Sequence, residues 1–284
     1  MENFIPKLKK LKKISLLLLL LPSLTLANII IENTPIPGGI AVLDFDSNKS
    51  NPRAFYKSRP LFTQHIDGEH WQALLGIPLW QKMGKIAITI KDFSTRTLVV
   101  DMKNHQYEEQ HITLKGDKKK YVNPNAKYIQ RINKERPILS KARVVFSTKI
   151  LADELFIRPV DGITTSPFGL KRFYNGEPRR AHTGLDYAGD IGTKIKAPAA
   201  GKIILTGNFF FNGNAIFIDH GQGLISVYIH THKILVKQGQ MVKQGDIIGT
   251  IGQSGRATGP HLHWGVYLNG IAINPNLLLE NQER

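Results

Sequence analysis

The stretch "TGPHLHWGV" at residues 258–266 places two histidines, His261 and His263, one residue apart inside a predicted β-strand. Successive side chains of a strand point to opposite faces, so both histidines share one face. Leu262 and Trp264 alternate onto the other face and are predicted to lie in the core. Because most histidines bind no metal, this pair by itself favours exposed or hydrogen-bonded side chains.

The chain around this stretch is rich in glycine and in short strand-like runs. Nineteen of the 25 glycines lie between Gly162 and Gly270, where the runs "GKIILTG", "NAIFIDHG" and "IIGTIG" are separated by turns. Similar short runs, broken by Pro, Gly and Asp or Asn, occupy residues 38–100. The predicted fold is therefore mainly β, with a β-rich amino-terminal domain and a carboxy-terminal antiparallel sheet.

A helical connector is predicted between these two β-rich parts. The apolar spacing within residues 123–147 is compatible with two helical pieces that are split at Pro137. The resulting division assigns residues 1–27 to a signal peptide, 28–122 to the amino-terminal β domain, 123–150 to the connector and 151–284 to the carboxy-terminal domain.

The first 27 residues resemble a secretory signal. Five lysines precede an apolar run from Ile14 to Leu21, and Thr25 and Ala27 supply small residues at the cleavage positions. We expect cleavage after Ala27 and export to the periplasm or cell envelope. The alternative is an uncleaved anchor and hence membrane association, although the unbroken run is too short to span a bilayer.

Composition restricts the chemistry and the partners of the protein. The chain has no cysteine, which excludes disulfides, a lipoprotein anchor and thiolate metal ligands. The net charge is +16, and removing a signal with five Lys and one Glu leaves 16 − 4 = +12. For an exported protein, this charge favours polyanions of the cell envelope over nucleic acid, so no nucleic-acid partner is expected; a merely solvated basic face is the alternative.

A second histidine-bearing stretch is "RRAHTGLDYAG" at residues 179–189. His182 and Asp186 are four residues apart, and Gly184 argues against a helix between them. In an extended segment an even spacing returns to the same face, so the two side chains can converge on one atom. A hydrogen-bonded surface pair is the alternative, since His and Asp often meet without a metal.

A third stretch, "SVYIHTHKI" at residues 226–234, places His230 in an alternating run. Strict alternation predicts that His230 shares a face with Tyr228 and His232. An exposed polar strand face is the alternative. Just before His182, a segment with several polar side chains either lines a groove or forms a solvated loop, and the loop is favoured: Arg172, Tyr174, Asn175, Arg179 and Arg180.

Together, four stretches of the chain resemble the lysostaphin-type zinc endopeptidase family, which cleaves peptides of bacterial peptidoglycan. They lie at residues 182–203, 216–230, 236–266 and 273–275, and they contain both family motifs, His-x-x-x-Asp and His-x-His, in the family's order. The resemblance covers residues 159–275. It implies a carboxy-terminal metallopeptidase domain with a glycine-rich groove.

The resemblance also implies roles for five residues. His182, Asp186 and His263 match the zinc ligands, and His230 and His261 match the two catalytic histidines. Two other positions bear on this assignment. Thr231 departs from the leucine that is common in the family, and with His232 nearby this leaves His230 less firmly assigned. His220 is predicted to be structural, because it lies in a turn before a strand.

The implied cofactor is Zn²⁺, and its chemistry explains the residue types. Two imidazoles and one carboxylate leave an open position on a tetrahedral zinc, where water becomes a nucleophile at neutral pH. The two remaining histidines are then free to accept and donate protons or to stabilise the oxyanion. The sequence leaves open which histidine is the base, which peptidoglycan bond is cut, and whether endopeptidase or carboxypeptidase activity dominates.

The upstream half has a looser resemblance of its own. The stretch "GEHWQALLGIPL" at residues 68–79, with the helical connector, is similar to the amino-terminal domain of some envelope peptidases of this family. This implies that the domain can cover the active-site groove and regulate it. One alternative to an enzyme is a non-catalytic envelope scaffold or activator of cell-wall hydrolases. Another is a swinging-arm carrier domain, but such a domain needs a modifiable lysine at a hairpin tip, and the sequence has no such motif. The oligomeric state is not predicted.

Overall fold

The structure, a computed structural model, describes residues 29–280. The predicted signal peptide at residues 1–27 therefore lies outside the described residues. Of the residues between 29 and 280, 42% are in strands and 11% in helices, which confirms the prediction of a mainly β fold. No helix among residues 29–280 is long and apolar enough to cross a membrane.

The upstream part contains two small antiparallel sheets that pack face to face. Its strands are β1 (Ile40–Asp46), β2 (Arg53–Tyr56), β3 (Arg59–Pro60), β4 (Phe62–Asp67), β5 (His70–Gly76), β6 (Lys85–Lys91) and β7 (Thr95–Asp101). One sheet has the order β1-β5-β4 and the other β3-β2-β6-β7. Alternate residues of β6, Ile86, Ile88 and Ile90, are buried between them, as expected for strands with one solvated face.

Between the two β-rich parts, residues 109–143 contain one strand and two helical segments: β8 (Glu109–Ile112), a 3₁₀ helix (Gly116–Tyr121) and α1 (Ala126–Arg143). This whole segment, which begins before the predicted helical connector, is called the connector below. Asn125 caps α1, since its side-chain oxygen accepts a hydrogen bond from the Tyr128 amide. The predicted split at Pro137 is wrong, because α1 continues through this residue. Proline removes one hydrogen bond of the helix, but Leu139 and Ala142 pack against the downstream sheet and hold the segment helical.

The downstream part is built from twelve strands and a 3₁₀ helix (Pro275–Leu278). The strands are β9 (Thr164–Ser166), β10 (Lys171–Tyr174), β11 (Glu177–Pro178), β12 (Leu185–Ala188), β13 (Lys194–Lys196), β14 (Gly201–Phe209), β15 (Gly213–Asp219), β16 (Leu224–Thr231), β17 (Met241–Val242), β18 (Ile247–Thr250), β19 (His261–Leu268) and β20 (Ile271–Ile273).

An eight-stranded antiparallel sheet dominates this part. Its order is β17-β14-β15-β16-β19-β12-β9, and β20 pairs with β19 off this path. The two histidines of "TGPHLHWGV" lie at the start of β19, which runs between β16 and β12. Leu262 and Trp264 are fully buried, which confirms the predicted alternation of this strand. Its two histidines face the opposite surface of the sheet, where the groove lies.

The upstream and downstream parts share one hydrophobic core. Ile40, Phe62 and Leu74 of the upstream sheet belong to the same buried cluster as Leu268 and Ile273 of the large sheet. The backbones also approach closely at this junction, since a Cβ at Gly76 would lie 2.8 Å from the Leu268 carbonyl oxygen. The upstream part is thus packed onto the side of the large sheet that carries the core.

The connector reaches the other side of the large sheet. Strand β8 pairs in parallel with β10, so residues 109–112 form a small sheet with the segment that precedes His182. The helix α1 packs against β14 and the apolar residues Phe217 and Val227 of the same surface. The connector therefore forms part of the wall around the two histidines of β19.

Candidate metal centre and active-site groove

A groove of about 560 Å³ lies over the polar face of the large sheet. Its floor comes from β16, β19 and the segment around His182, and one wall comes from α1. All five residues assigned from the family resemblance line it: His182, Asp186, His230, His261 and His263. The lining residues from the described upstream half lie in β8 and α1, and none lies between residues 29 and 104.

Three side chains converge at the floor of this groove. His182 Nε2 lies 2.9 Å from Asp186 Oδ1 and 2.9 Å from His263 Nδ1, and the latter two atoms are 2.8 Å apart. Strand register explains the convergence, because Asp186 of β12 lies directly opposite His263 of β19. His182 and Asp186 converge on the same point, as their spacing predicted.

These three atoms fit a metal ion. They all lie within 4.8 Å of one another, so that one ion can reach all three with bonds of about 2.0–2.2 Å. His182 Nδ1 is 2.7 Å from the Pro167 carbonyl, which can only accept, so this ring nitrogen carries a proton. In this tautomer, Nε2 directs its lone pair at the cluster. A carboxylate and imidazole lone pairs that face one another suit a cation.

The second carboxylate oxygen of Asp186 is held by an arginine. Arg172 Nη2 donates to Asp186 Oδ2 at 2.6 Å, which leaves Oδ1 to face the two histidines. The same guanidinium donates to Gln110 Oε1 at 2.8 Å and to Ser166 Oγ at 2.9 Å. Because Gln110 lies on β8, the connector helps to orient a candidate metal ligand.

The electrostatics of the cluster favour a charged carboxylate and a neutral imidazole. Burial alone raises the pKa of Asp186, but the hydrogen bonds and charges of His182 and His263 outweigh it and hold this pKa well below its usual value. Burial lowers the pKa of His263 to about 4, against the opposing effect of its hydrogen bond to Asp186. Both groups are therefore in the protonation states that bind metal near neutral pH.

His230 and His261 lie beside this cluster, with ring centroids 4.9 Å apart. His230 Nδ1 is 2.7 Å from the Ser254 carbonyl, and His261 Nδ1 is 2.9 Å from the Gly259 carbonyl. Each carbonyl fixes a proton on Nδ1, which selects the tautomer whose Nε2 is the acceptor. Burial, followed by the charges of His261 and His263, lowers the pKa of His230 well below its usual value.

The predicted environment of His230 needs a correction. Alternation placed His230 on the same face as Tyr228, but Tyr228 is fully buried in the core, whereas His230 lines the groove. A bulge in the β15–β16 pairing, where the register shifts between Asn214 and Ile216, breaks the alternation. His230 itself adopts a positive φ of 65° at this bulge. His232, the rival histidine, is exposed and does not line the groove.

The solvated loop predicted before His182 is also wrong. The segment forms β10 and β11, and β8 and β11 flank β10 on its two edges. Tyr174 is buried, and Arg172, Arg179 and Arg180 line the groove. A four-residue strand whose partner lies about sixty residues upstream has no local sequence signal strong enough to reveal it.

His220 has the structural role that was predicted for it. Its ring is fully buried, with Nδ1 2.7 Å from the Ala200 carbonyl and Nε2 2.7 Å from Ser226 Oγ. Burial lowers its pKa to about 4. It does not line the groove.

Sequence reasoning missed several groove residues. The side chains of α1 that face the groove are Ile132, Glu135, Arg136, Leu139, Ser140 and Arg143. Arg256 and Phe211 complete the opposite side. The apolar spacing of residues 123–147 predicted helical structure there, as two pieces, but no local pattern indicated that this segment faces the histidines.

A two-histidine, one-carboxylate cluster with two further histidines in an open groove is typical of a mononuclear metal-dependent hydrolase. The sequence matches Peptidase family M23 over residues 180–275 and the M23 N-terminal domain over residues 33–104. A solved structure of a peptidase M23 from Pseudomonas aeruginosa is 37% identical, with a TM-score of 0.72, and the match covers 87% of this chain and 96% of that one. The protein belongs to the M23 peptidase family, which confirms the resemblance found in the sequence.

Two curated relatives match part of the chain. Peptidoglycan DD-endopeptidase ShyC from Vibrio cholerae is 42% identical over 120 residues, which is 39% of this chain and 28% of the relative. DD-carboxypeptidase/endopeptidase Mpg from Neisseria meningitidis is 40% identical over 111 residues, which is 39% of this chain and 26% of the relative. The chain thus matches less than a third of the length of either.

Proposed function

We propose that the protein is a zinc-dependent endopeptidase that hydrolyses peptide bonds in the stem peptides or cross-links of peptidoglycan. The observation that carries the proposal is the convergence of His182, Asp186 and His263 within 2.9 Å, beside two histidines with free Nε2 atoms. The names of the two relatives, both of which act on peptidoglycan or as DD-peptidases, support the substrate class.

Zinc is the metal that this donor set favours. Two imidazole nitrogens and one carboxylate oxygen, without thiolates, are typical of catalytic zinc sites that keep an open coordination position. When bound, zinc supplies Lewis-acid chemistry, which makes water a nucleophile at neutral pH and polarises the scissile carbonyl. The residues of this chain must then orient the peptide and transfer its protons.

His230 and His261 are assigned the proton transfers. Each ring keeps its Nδ1 proton on a backbone carbonyl and offers Nε2 to the groove, so either can accept a proton from the attacking water. Once protonated, the same nitrogen can donate to the leaving amine or to the developing oxyanion. The low pKa of His230 keeps its ring neutral at the start of the reaction.

An envelope location completes the proposal. The basic chain and its signal-like first 27 residues both suit an exported enzyme that meets a polyanionic wall. On this proposal, residues 28–122 form an associated domain, residues 123–150 the helical part of the connector and residues 151–284 the peptidase domain.

The metal assignment is tested by replacing a ligand. Purified residues 28–284 are incubated with cross-linked peptidoglycan, with and without a chelator, and the released muropeptides and the bound zinc are measured by mass spectrometry. We expect His263→Ala to lose zinc and to lower the cleavage rate by more than about 100-fold, because even outer partners of metal ligands change activity by 10 to 100-fold. His232→Ala, at an exposed histidine of the same region, is the matched control and should leave both unchanged.

Chelator-insensitive cleavage, or full activity of His263→Ala, would contradict the metal assignment. A folded protein that holds no zinc and releases nothing would favour the alternative of a non-catalytic scaffold.

A further inference from the structure

The groove carries a large excess of positive charge. Six arginines line it: Arg136, Arg143, Arg172, Arg179, Arg180 and Arg256. Only two carboxylates do so among the described residues, and both are already engaged. Asp186 is paired with Arg172, and Glu135 is paired with Arg131 and accepts a hydrogen bond from the Phe210 amide. The groove is therefore suited to a substrate that brings negative charge.

Two aromatic rings hold the side chain of Arg256 in place. Its guanidinium lies over the ring of Tyr174 at 4.8 Å and over the ring of Phe211 at 5.0 Å. Its backbone amide donates to the Phe211 carbonyl at 2.9 Å, which fixes the base of the side chain. Stacking on two rings leaves the edge of a guanidinium, with its fork of N–H groups, open for a planar acceptor.

Within residues 29–280, no carboxylate pairs with Arg256 and no acceptor takes a hydrogen bond from its side chain. Arg172, by contrast, is paired with Asp186, and Arg179 with Glu177. The charge of Arg256 is thus uncompensated although the side chain is half-buried. Burial lowers its pKa, and the charges of Arg172 and Arg179 act in the same direction. An anion bound at the guanidinium fork would offset the free-energy cost of burying this unpaired charge.

The loop that carries Arg256 also positions the two candidate proton-transfer groups. The Ser254 carbonyl holds His230, and β19 begins at His261, five residues after Arg256. A group bound at Arg256 therefore lies in the same groove as the bond to be cut. Rigid placement next to the reacting groups is what a specificity contact requires.

We infer that Arg256, clamped between Tyr174 and Phe211, binds a carboxylate of the peptide substrate and selects peptides that carry a free carboxylate near the scissile bond. This inference rests on the proposed peptidase function and specifies its substrate. The carboxylate comes either from the carboxyl terminus of a peptide strand or from an acidic side chain. Both offer the planar pair of oxygens that a guanidinium fork binds.

The test compares matched substrates. A synthetic cross-linked peptidoglycan peptide is made with all carboxylates free, with only the terminal carboxylate amidated, and with only the side-chain carboxylates amidated. kcat/KM is measured for each form on the zinc-loaded full chain. Binding of each form is measured by calorimetry on the same chain in the presence of a chelator. The amidated form that loses both rate and affinity identifies the source of the carboxylate.

Three variants accompany the wild-type chain. We expect the wild type to prefer the acid over the relevant amide by about 10- to 100-fold, the range of a hydrogen-bonded charged pair. Arg256→Gln should lose this preference by slowing only the acid form, mainly through KM. Arg256→Lys keeps the charge without the fork and should retain part of the preference. Arg53→Gln, which removes an exposed arginine far from the groove, should behave like the wild type.

The outcomes separate this inference from the proposed function. Cleavage without any acid preference, or an Arg256→Gln variant that slows acid and amide forms equally, would overturn the carboxylate site and leave the peptidase standing. Absence of cleavage of every form, combined with acid-selective binding that Arg256→Gln abolishes, would overturn the peptidase and leave the carboxylate site standing.

Discussion

His230 lines the groove because its backbone departs from the regular β conformation of its strand. A non-glycine residue with a φ of 65° inside a β-strand carries backbone strain, typically about 1–3 kcal/mol. The bulge and the hydrogen bond from Nδ1 to the Ser254 carbonyl hold it in this conformation. This conformation turns the ring away from the core, where strict alternation would place it, and towards His261 and His263.

Gly184 is the residue whose lack of a side chain allows His182, Asp186 and His263 to form the candidate metal-binding cluster. A Cβ at this position would lie 2.4 Å from the Trp264 carbonyl oxygen and 2.8 Å from His263 Nε2. Real Cβ atoms do not approach so closely, so β12 and β19 would have to separate or the ring would have to turn. Either movement takes His263 away from Asp186.

We therefore predict that Gly184→Ala weakens zinc binding by about 10 to 100-fold and lowers the free energy of unfolding by about 1–3 kcal/mol. Competition with a chromogenic chelator and urea denaturation measure the two effects. Gly259→Ala is the matched control, because a Cβ there meets nothing within 4 Å. Zinc affinity equal to that of the wild type in both variants would contradict the proposed role of Gly184.

At the scale of elements, the connector contributes more to the groove than its length suggests. Strand β8 supplies Gln110, which holds Arg172 against a candidate metal ligand. Helix α1 supplies a wall of the groove and packs on the large sheet through Leu139 and Ala142. The helix also contains Pro137, an exposed residue in its interior that removes one backbone hydrogen bond.

Replacing this proline tests whether packing alone maintains α1. Pro137→Ala restores a backbone N–H and removes a clash with the preceding turn, so the free energy of unfolding should rise by up to about 3 kcal/mol. Urea denaturation measures the change. Lys134→Ala, at another exposed position of the same helix, should change stability by less than about 0.5 kcal/mol. A lower stability of Pro137→Ala would mean that α1 needs a bend at this point.

At the scale of the whole molecule, the two β-rich parts are not independent domains joined by a linker, because they share a hydrophobic core. Ile40, Phe62 and Leu74 bury their side chains in the core of the large sheet. The Gln222 side chain accepts from the Thr63 amide and donates to its carbonyl, at 2.8 and 3.1 Å. The hypothesis that the upstream domain covers the groove therefore has to account for a domain packed on the opposite side of the sheet.

Deleting residues 28–145 tests this hypothesis. Each large apolar side chain left uncovered costs about 1.5–3 kcal/mol, so losing three partners approaches the whole stability of a typical domain. We expect the remaining fragment to unfold at lower urea concentration and to cleave peptidoglycan more slowly than the full chain. Supplying residues 28–145 as a separate fragment is the control and should restore part of both. A fragment that is as stable as the full chain and faster would support a covering role.

The sequence by itself determined the mainly β class, the alternation of His261 and His263 against Leu262 and Trp264, and the convergence of His182 with Asp186. These features follow from the period of a strand and from motifs, which are local. Tertiary structure alone decided that Asp186 pairs with His263 across two strands, that a bulge turns His230 into the groove, and that α1 and Arg256 wall it. Register, bulges and packing partners depend on residues far apart in the chain, so no local pattern specifies them.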